Sequence, residues 1–367
     1  MPRKVFITLV SEQSIPNVQY IKEFQPIDAY LFVSTPFTES KNGANAIIAA
    51  CNLDHNAVAN VIVNEESLID IQQKINETLA QNPIFNATDQ YIINCTLGNK
   101  IMAIALYEIF KDNAKAQILY TPIGKNKYKA IGGSEDETLF KQKITIKEYF
   151  KSYNIGIRKQ GQCKYSFEST QYIFNQFLQF KDTDFKILEQ LRERESEAKK
   201  IIGREKGVSN ISDIDGLETF LGTIKFKNKD KDKLSKYEVI YLTGGWFEEW
   251  TYYQIKTNFN VDDNQIAIGL ESQNFANNDL DVVFIKNNAL YIIECKTLLS
   301  ADLQQSTLYK SGALVDKFGR SAKSYLVTLS DLSPNGILKE AIDLRARQQN
   351  VTVIDKQKVI NNFTNNF

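Results

Sequence analysis

The sequence predicts an α/β protein with two sheets, a doubly wound and mostly parallel one followed by a mixed one. Three observations predict it. Short apolar runs alternate with segments of helical spacing over the first 120 residues. Two apolar runs then flank Asn287-Asn288 and mark a β-hairpin. Strands and helices alternate again after that hairpin. Such alternation builds sheets covered by helices. With 367 residues, two domains and a sizeable core are expected.

The first apolar runs are Val5–Val10, Ala29–Val33, Val58–Val63, Tyr91–Cys95 and Gln117–Tyr120. Between them, Ala44–Cys51, Leu68–Leu79 and Ile101–Phe110 have helical spacing. Lys127–Ile131 and Glu137–Phe140 are expected as a hairpin at the sheet's edge. Ile144–Tyr153 reads as a helix. Phe167–Ile202 is a long helical stretch carrying the run Arg192-Glu193-Arg194-Glu195. It suits a coiled-coil-like connector or the first helix of the second domain. Gly203–Gly222 is rich in glycine, aspartate and serine, which predicts loops. Tyr237–Thr243 starts a strand or a helix, and Trp246–Ile255 is a helix bearing Glu248 and Glu249. Ile266–Leu270 is a strand before the hairpin. Leu303–Phe318 and Ile337–Gln348 are helices, Ser324–Leu329 and Val351–Ile354 strands, and Asn361–Phe367 a frayed tail. The expected division is 1–145, a helical connector over 146–235, and 236–367.

Composition narrows the chemistry. Hydrophobic residues make up 43% and charged ones 24%, as in a soluble globular protein. No membrane-length apolar run follows MPRKVFITLV, so a cytoplasmic protein is expected. Cys51, Cys95, Cys163 and Cys295 are scattered, as buried reduced thiols would be. His55 is the single histidine and falls in a loop, which speaks against His-dependent nucleophilic catalysis and a His-ligated zinc site. The formal net charge is zero, so any nucleic-acid contact must be local or weak. The lysines of 141–164 and 225–236 read as solvated faces.

The stretch Asn278–Thr297, NDLDVVFIKNNALYIIECKT, carries the sharpest signal. Asparagine tolerates the positive φ of a two-residue hairpin turn. A turn centred on Asn287-Asn288 sets Asp281 opposite Glu294, with Cβ atoms roughly 4.5–5.5 Å apart. Lys296 lies two residues on and shares their face. Facing carboxylates destabilise a sheet, and a divalent cation between them turns that cost into a site. Oxygen ligands suit Mg²⁺ or Mn²⁺. A solvated surface hairpin would also explain the charges. The strongly apolar neighbours favour a core hairpin, and the Gly244–Trp250 stretch offers a further carboxylate from a helix.

A second signal is Asn94-Cys95-Thr96-Leu97-Gly98-Asn99-Lys100, at the carboxyl end of a strand and the start of a helix. Ligands of such sheets bind beyond the strands' carboxyl ends. A hydroxyl, a glycine and free N–H groups there make a phosphate cradle, although an ordinary capped turn has the same composition. Ser11, Gln13 and Ser14 follow the first strand.

Asp281…Glu294-x-Lys296 resembles the PD-(D/E)xK nuclease core, with Leu280 where a proline is usual. Together with Gly-Gly-Trp-Phe-Glu-Glu upstream, it is similar to the nuclease domain of CARF-containing ancillary effectors of type III CRISPR systems. The first 120 residues resemble CARF domains, Rossmann-like sensors of cyclic oligoadenylates. The resemblance implies a restriction-endonuclease-like second domain. It implies ligand contacts from Ser11, Gln13, Asn94, Thr96, Gly98, Asn99 and Lys100, with Thr35 a weaker candidate. It also implies a homodimer sharing one ring, for which cyclic tetra-adenylate is expected over the hexa-adenylate. The activity expected is cleavage of single-stranded RNA or DNA, or nicking of a DNA duplex. Asp281, Glu294 and the carbonyl of Cys295 would hold Mn²⁺ or Mg²⁺. Lys296 would orient or deprotonate water, or hold the scissile phosphate, and Glu248 before Glu249 would supply the helix carboxylate. The alternatives are a nucleotide-sensing regulator that grips nucleic acid without cutting it, and a CARF domain that degrades its own ligand.

Overall fold

The computed structural model describes residues 3–122, 124–133, 136–199, 207–274, 279–299, 301–319, 321–332 and 336–367. Residues 200–206, which include the expected end of the long helix and the start of the glycine-rich loops, and Asn278 lie outside them.

The first domain strings β1 (Lys4–Leu9), α1 (Ile15–Phe24), β2 (Ala29–Ser34), α2 (Pro36–Ser40), α3 (Gly43–Cys51), β3 (Val58–Ile62), α4 (Leu68–Gln81), β4 (Gln90–Asn94), α5 (Lys100–Phe110) and β5 (Ala116–Tyr120). Strands β6 (Lys127–Ala130) and β7 (Thr138–Leu139) follow as the expected edge hairpin. The order is β3-β2-β1-β4-β5-β6-β7, with β1 to β5 parallel and β6 antiparallel to β5. Strands β1 and β2 are buried along nearly their whole length because helices cover both faces.

The middle of the chain is α6 (Ile146–Ser152), β8 (Ile157–Lys159), α7 (Phe167–Phe177), α8 (Asp182–Lys199), β9 (Gly207–Asn210), α9 (Leu217–Thr223), β10 (Lys233–Ser235) and α10 (Lys236–Ile240). It is no free-standing connector. Phe174, Phe177, Leu188 and Leu191 are buried in one cluster with Trp246, Trp250, Val282 and Ile293. Phe174 stacks on Trp250 at 4.2 Å. Strand β8 joins the second sheet as its edge. The stretch read as loops contains β9 and α9 among its described residues.

The second domain continues with α11 (Trp246–Phe259), β11 (Ile266–Ser272), β12 (Asp279–Lys286), β13 (Ala289–Lys296), α12 (Ala301–Asp316), β14 (Lys323–Thr328), α13 (Gly336–Gln348), β15 (Val351–Ile354) and α14 (Lys356–Asn362). Its sheet runs β15-β14-β13-β12-β11-β8. Strands β11, β12 and β13 are antiparallel, and β13, β14 and β15 are parallel, so the sheet is mixed. The expected frayed tail is packed instead. Phe363 is buried, and the Phe367 ring lies 4.7 Å from Tyr325, because an aromatic end finds apolar cover.

The two domains share a core. Helix α6 buries Ile146, Tyr149 and Phe150 against Ile15 and Val18 on one side and Leu280, Val283 and Phe318 on the other. No helix among the described residues is long and apolar enough to cross a membrane.

Candidate functional site

Asn287 and Asn288 both take positive φ, 52° and 59°, as a type I′ turn demands. The register follows: Lys286 pairs with Ala289, Phe284 with Tyr291 and Val282 with Ile293. Carried one pair further, it puts Asp281 at the level of Glu294. The Asp281 Oδ2 accepts the Cys295 N–H at 2.7 Å. Both carboxylates are about nine-tenths buried, each residue being 8% exposed. The Lys296 Nζ lies 2.7 Å from Glu294 Oε1 and 3.6 Å from Asp281 Oδ2. It also donates to the Cys295 carbonyl at 3.2 Å.

Burial, and then the charge of Glu294, push Asp281 up to about 7. Burial alone would pull Lys296 down, but Asp281 and Glu294 outweigh it and hold the ammonium well above its ordinary value. Lys296 is therefore the resident cation of a carboxylate pair.

Helix α11 brings its two glutamates to different places. Glu248 faces the cluster: burial, and then the charge of Asp281, raise its carboxyl far above the usual range. Glu249 faces away and accepts the main-chain N–H groups of Lys164 at 2.6 Å and Tyr165 at 3.1 Å. Ahead of α11, Tyr241–Gly245 forms a π-turn, an irregularity common beside functional sites. Thr297 anchors it, donating to the Thr243 carbonyl at 3.1 Å and accepting from Arg192 at 2.8 Å. Sequence reasoning missed Arg192 and Thr297, whose pairing spans 105 residues.

The donor set suits a hard divalent cation. Asp281, Glu294 and the Cys295 carbonyl offer oxygen only, and the Lys296 ammonium already sits where positive charge is wanted. The Cys295 thiol is held well above its ordinary value by burial and then by Asp281, so it offers no thiolate. Among the described residues there is no cluster of three or more His, Cys, Asp or Glu side chains fit to hold a metal.

In the first domain the candidate residues divide in two. Asn94 is fully buried. Its amide donates to Thr8 Oγ1 at 3.1 Å and Asn17 Oδ1 at 2.8 Å, and its oxygen accepts from the Thr96 N–H at 3.0 Å. It shapes the loop from beneath. Thr35 is likewise buried and caps α2 through Thr38. Thr8 and Asn17, not expected from sequence, complete the network. Asn99 caps α5 by accepting from Met102 N–H at 2.9 Å, and Lys100 is exposed on its first turn. Gly98 has φ +73°, and a Cβ there would come within 3.1 Å of Leu9 Cβ, so only glycine fits.

Ser11, Gln13, Thr96 and Gly98 open onto a cavity of about 740 Å³. Its opposite wall is the turn of the hairpin, Lys286 to Ala289. The Asn288 amide donates to Asn126 Oδ1 at 2.9 Å and to the Gln142 carbonyl at 3.0 Å. One hairpin thus touches the cavity at its turn and carries the carboxylate pair at its open end, roughly 17 Å away at ~3.3 Å per residue.

Comparisons with known proteins follow this division. Residues 5–149 match the model of the Card1 CARF domain. Residues 235–363 match the model of the Card1-like endonuclease domain. Among curated proteins no relative matches. Two solved structures share the fold over nearly the whole chain. Can2 from Sulfobacillus thermosulfidooxidans, solved with cyclic tetra-adenylate, superposes with TM-score 0.73 at 21% identity, covering 98% of this chain and 97% of that one. VC1899 from Vibrio cholerae gives 0.74 at 17% identity, covering 97% and 95%. With a sensor model matched at one end and a nuclease model at the other, this chain belongs to the CARF-domain ancillary nucleases of type III CRISPR systems.

Proposed function

We propose that this protein is a metal-dependent endonuclease switched on by a cyclic oligoadenylate, and that it acts as a homodimer on single-stranded RNA or DNA. The observation that carries the catalytic half is the gathering of Asp281, Glu294 and Lys296 at one end of a core hairpin. Asp281, Glu294 and the Cys295 carbonyl would hold Mn²⁺ or Mg²⁺. Bound there, the ion would supply Lewis-acid stabilisation of a phosphoryl oxygen and a more acidic water. Lys296, beside its carboxylates, would hold the scissile phosphate, or orient or deprotonate the attacking water. Glu248, on the same cluster, is the helix carboxylate.

The sensing half rests on the 740 Å³ cavity over Ser11, Gln13, Thr96 and Gly98. The relative solved with cyclic tetra-adenylate supports that ring as the effector. A two-fold ring fits a two-fold interface, where each subunit offers the same patch. The test is cleavage of labelled single-stranded RNA and DNA in Mn²⁺, with and without cyclic tetra-adenylate. Ligand-dependent cutting is expected. Retention of substrate without cutting under every condition would favour a nucleic-acid-binding regulator.

A further inference from the structure

We propose that the effector cavity is composite: Lys286 and Lys323 of the nuclease domain grip phosphates of the same cyclic oligonucleotide that the sensor loops hold. This rests on the effector reading above. It goes beyond that reading by assigning part of the effector site to the domain that cuts.

The cavity is walled by both domains. Ser11, Gln13, Thr96 and Gly98 come from the sensor, and Lys286 and Lys323 from β12 and β14 of the nuclease. At about 740 Å³ it is of a size that encloses a ligand rather than a lone ion. Four lysines and one glutamate, Glu12, line it. One of the four, Lys127, is paired with Glu137.

Lys286 and Lys323 lack such a partner. Neither is paired with an Asp or Glu side chain among the described residues. Lys286 donates to an oxygen of Phe367 at 3.3 Å and lies 3.8 Å over the Phe259 ring. Lys323 donates to the Tyr291 hydroxyl at 3.1 Å. Burial, and then the charge of Lys323, lower the pKa of Lys286. Two ammonium groups on the wall of one cavity, neither paired with an Asp or Glu side chain among the described residues, gain from an anion, and Lys is a good point-charge partner for phosphate.

The arrangement also gives the ring a handle on the catalytic centre. Lys286 stands beside the turn of the hairpin whose open end carries Asp281 and Glu294. The sensor loop touches the same domain a second time, since a Cβ at Gly319 would collide with the Gln13 amide. A ring that binds the closed arrangement of loop and hairpin better than the open one shifts the population toward it.

The test is titration of the full chain with cyclic tetra-adenylate by calorimetry at several salt concentrations. Wild type is compared with Lys286→Gln/Lys323→Gln and with Lys286→Arg/Lys323→Arg. The glutamine pair is expected to bind at least about tenfold more weakly, with a shallower dependence of log Kd on log salt, as lost phosphate contacts require. The arginine pair is expected to keep most of the affinity. Melting curves establish that each variant is folded. If the glutamine pair melts early, the single Lys323→Gln change at an exposed position is used, with a several-fold loss expected. Wild-type affinity and salt slope in a folded glutamine variant would overturn the composite cavity and leave the effector reading intact. A wild type that binds neither cyclic tetra- nor hexa-adenylate would overturn both.

Discussion

The sensor loop after β4 and the open end of the β12–β13 hairpin both crowd polar groups into a buried place, and they resolve the crowding in opposite ways. Beneath the sensor loop the groups are neutral and pair with one another. Asn94 bonds to Thr8, Asn17 and the Thr96 N–H. At the hairpin the groups are charged, and the carboxylates of Asp281 and Glu294 have Lys296 as their counter-charge. A satisfied network is scaffold, and it fixes a loop whose outer surface is the proposed binding face. An over-acidic pair is a site, because its stability and its chemistry pull in different directions.

Substitutions separate the two cases. The largest effect is expected at the hairpin. Asp281→Ala or Lys296→Ala should lower cleavage by a factor on the order of 10³ or more, as for loss of a group that stabilises charge in the transition state, while effector binding persists. Chelation of divalent ions should do the same to wild type. Asn94→Ala should instead cost stability, roughly 1–3 kcal/mol for a buried group left unpaired, measured by urea unfolding. Lys100→Ala should leave the melting temperature unchanged and raise the effector concentration needed for half-maximal cleavage. The two glutamates of α11 give an intermediate pair. Glu249→Gln should destabilise by roughly 1–2 kcal/mol because a charged acceptor for two N–H groups is lost. Glu248→Gln should spare stability and slow cleavage.

The smallest effect sharpens the comparison. Burial and Glu294 raise Asp281 to about 7 in the folded chain, against about 3.9 for a free aspartate. The folded state therefore binds more protons between these values, and metal-free stability falls as pH rises from about 4 to 7. Asp281→Asn in chelator should raise the melting temperature by a few degrees at pH 8 and by less at pH 5. An equal shift at both values would show that Asp281 carries no such strain.

How much of this is legible in the sequence depends on how local the cause is. The hairpin register is legible because Asn287-Asn288 fixes the turn, and the facing of Asp281 and Glu294 then follows by counting. The parallel strands of the first domain are legible because each is a short, mostly apolar run between segments of helical spacing, although β3 is buried only at Ala59. Strand β8 is not, since Ile157–Lys159 is short and exposed and becomes a strand only through pairing with Glu271 and Ser272. The direction of Glu249 is set by main-chain groups some 85 residues away. The burial of Asn94 depends on Asn17, a residue of another element with no motif of its own. Phe367 packs because the ring of Tyr325 is brought to it by tertiary folding.

The central claim is that one hairpin joins an effector cavity to a catalytic carboxylate pair. The most direct measurement is cleavage of labelled single-stranded RNA and DNA by the purified chain in Mn²⁺, with wild type and Lys296→Ala run side by side, each with and without cyclic tetra-adenylate. Cutting by wild type only with the ring, and none by Lys296→Ala, is the predicted result. Equal cutting by the variant, or cutting by wild type that ignores the ring, would contradict it.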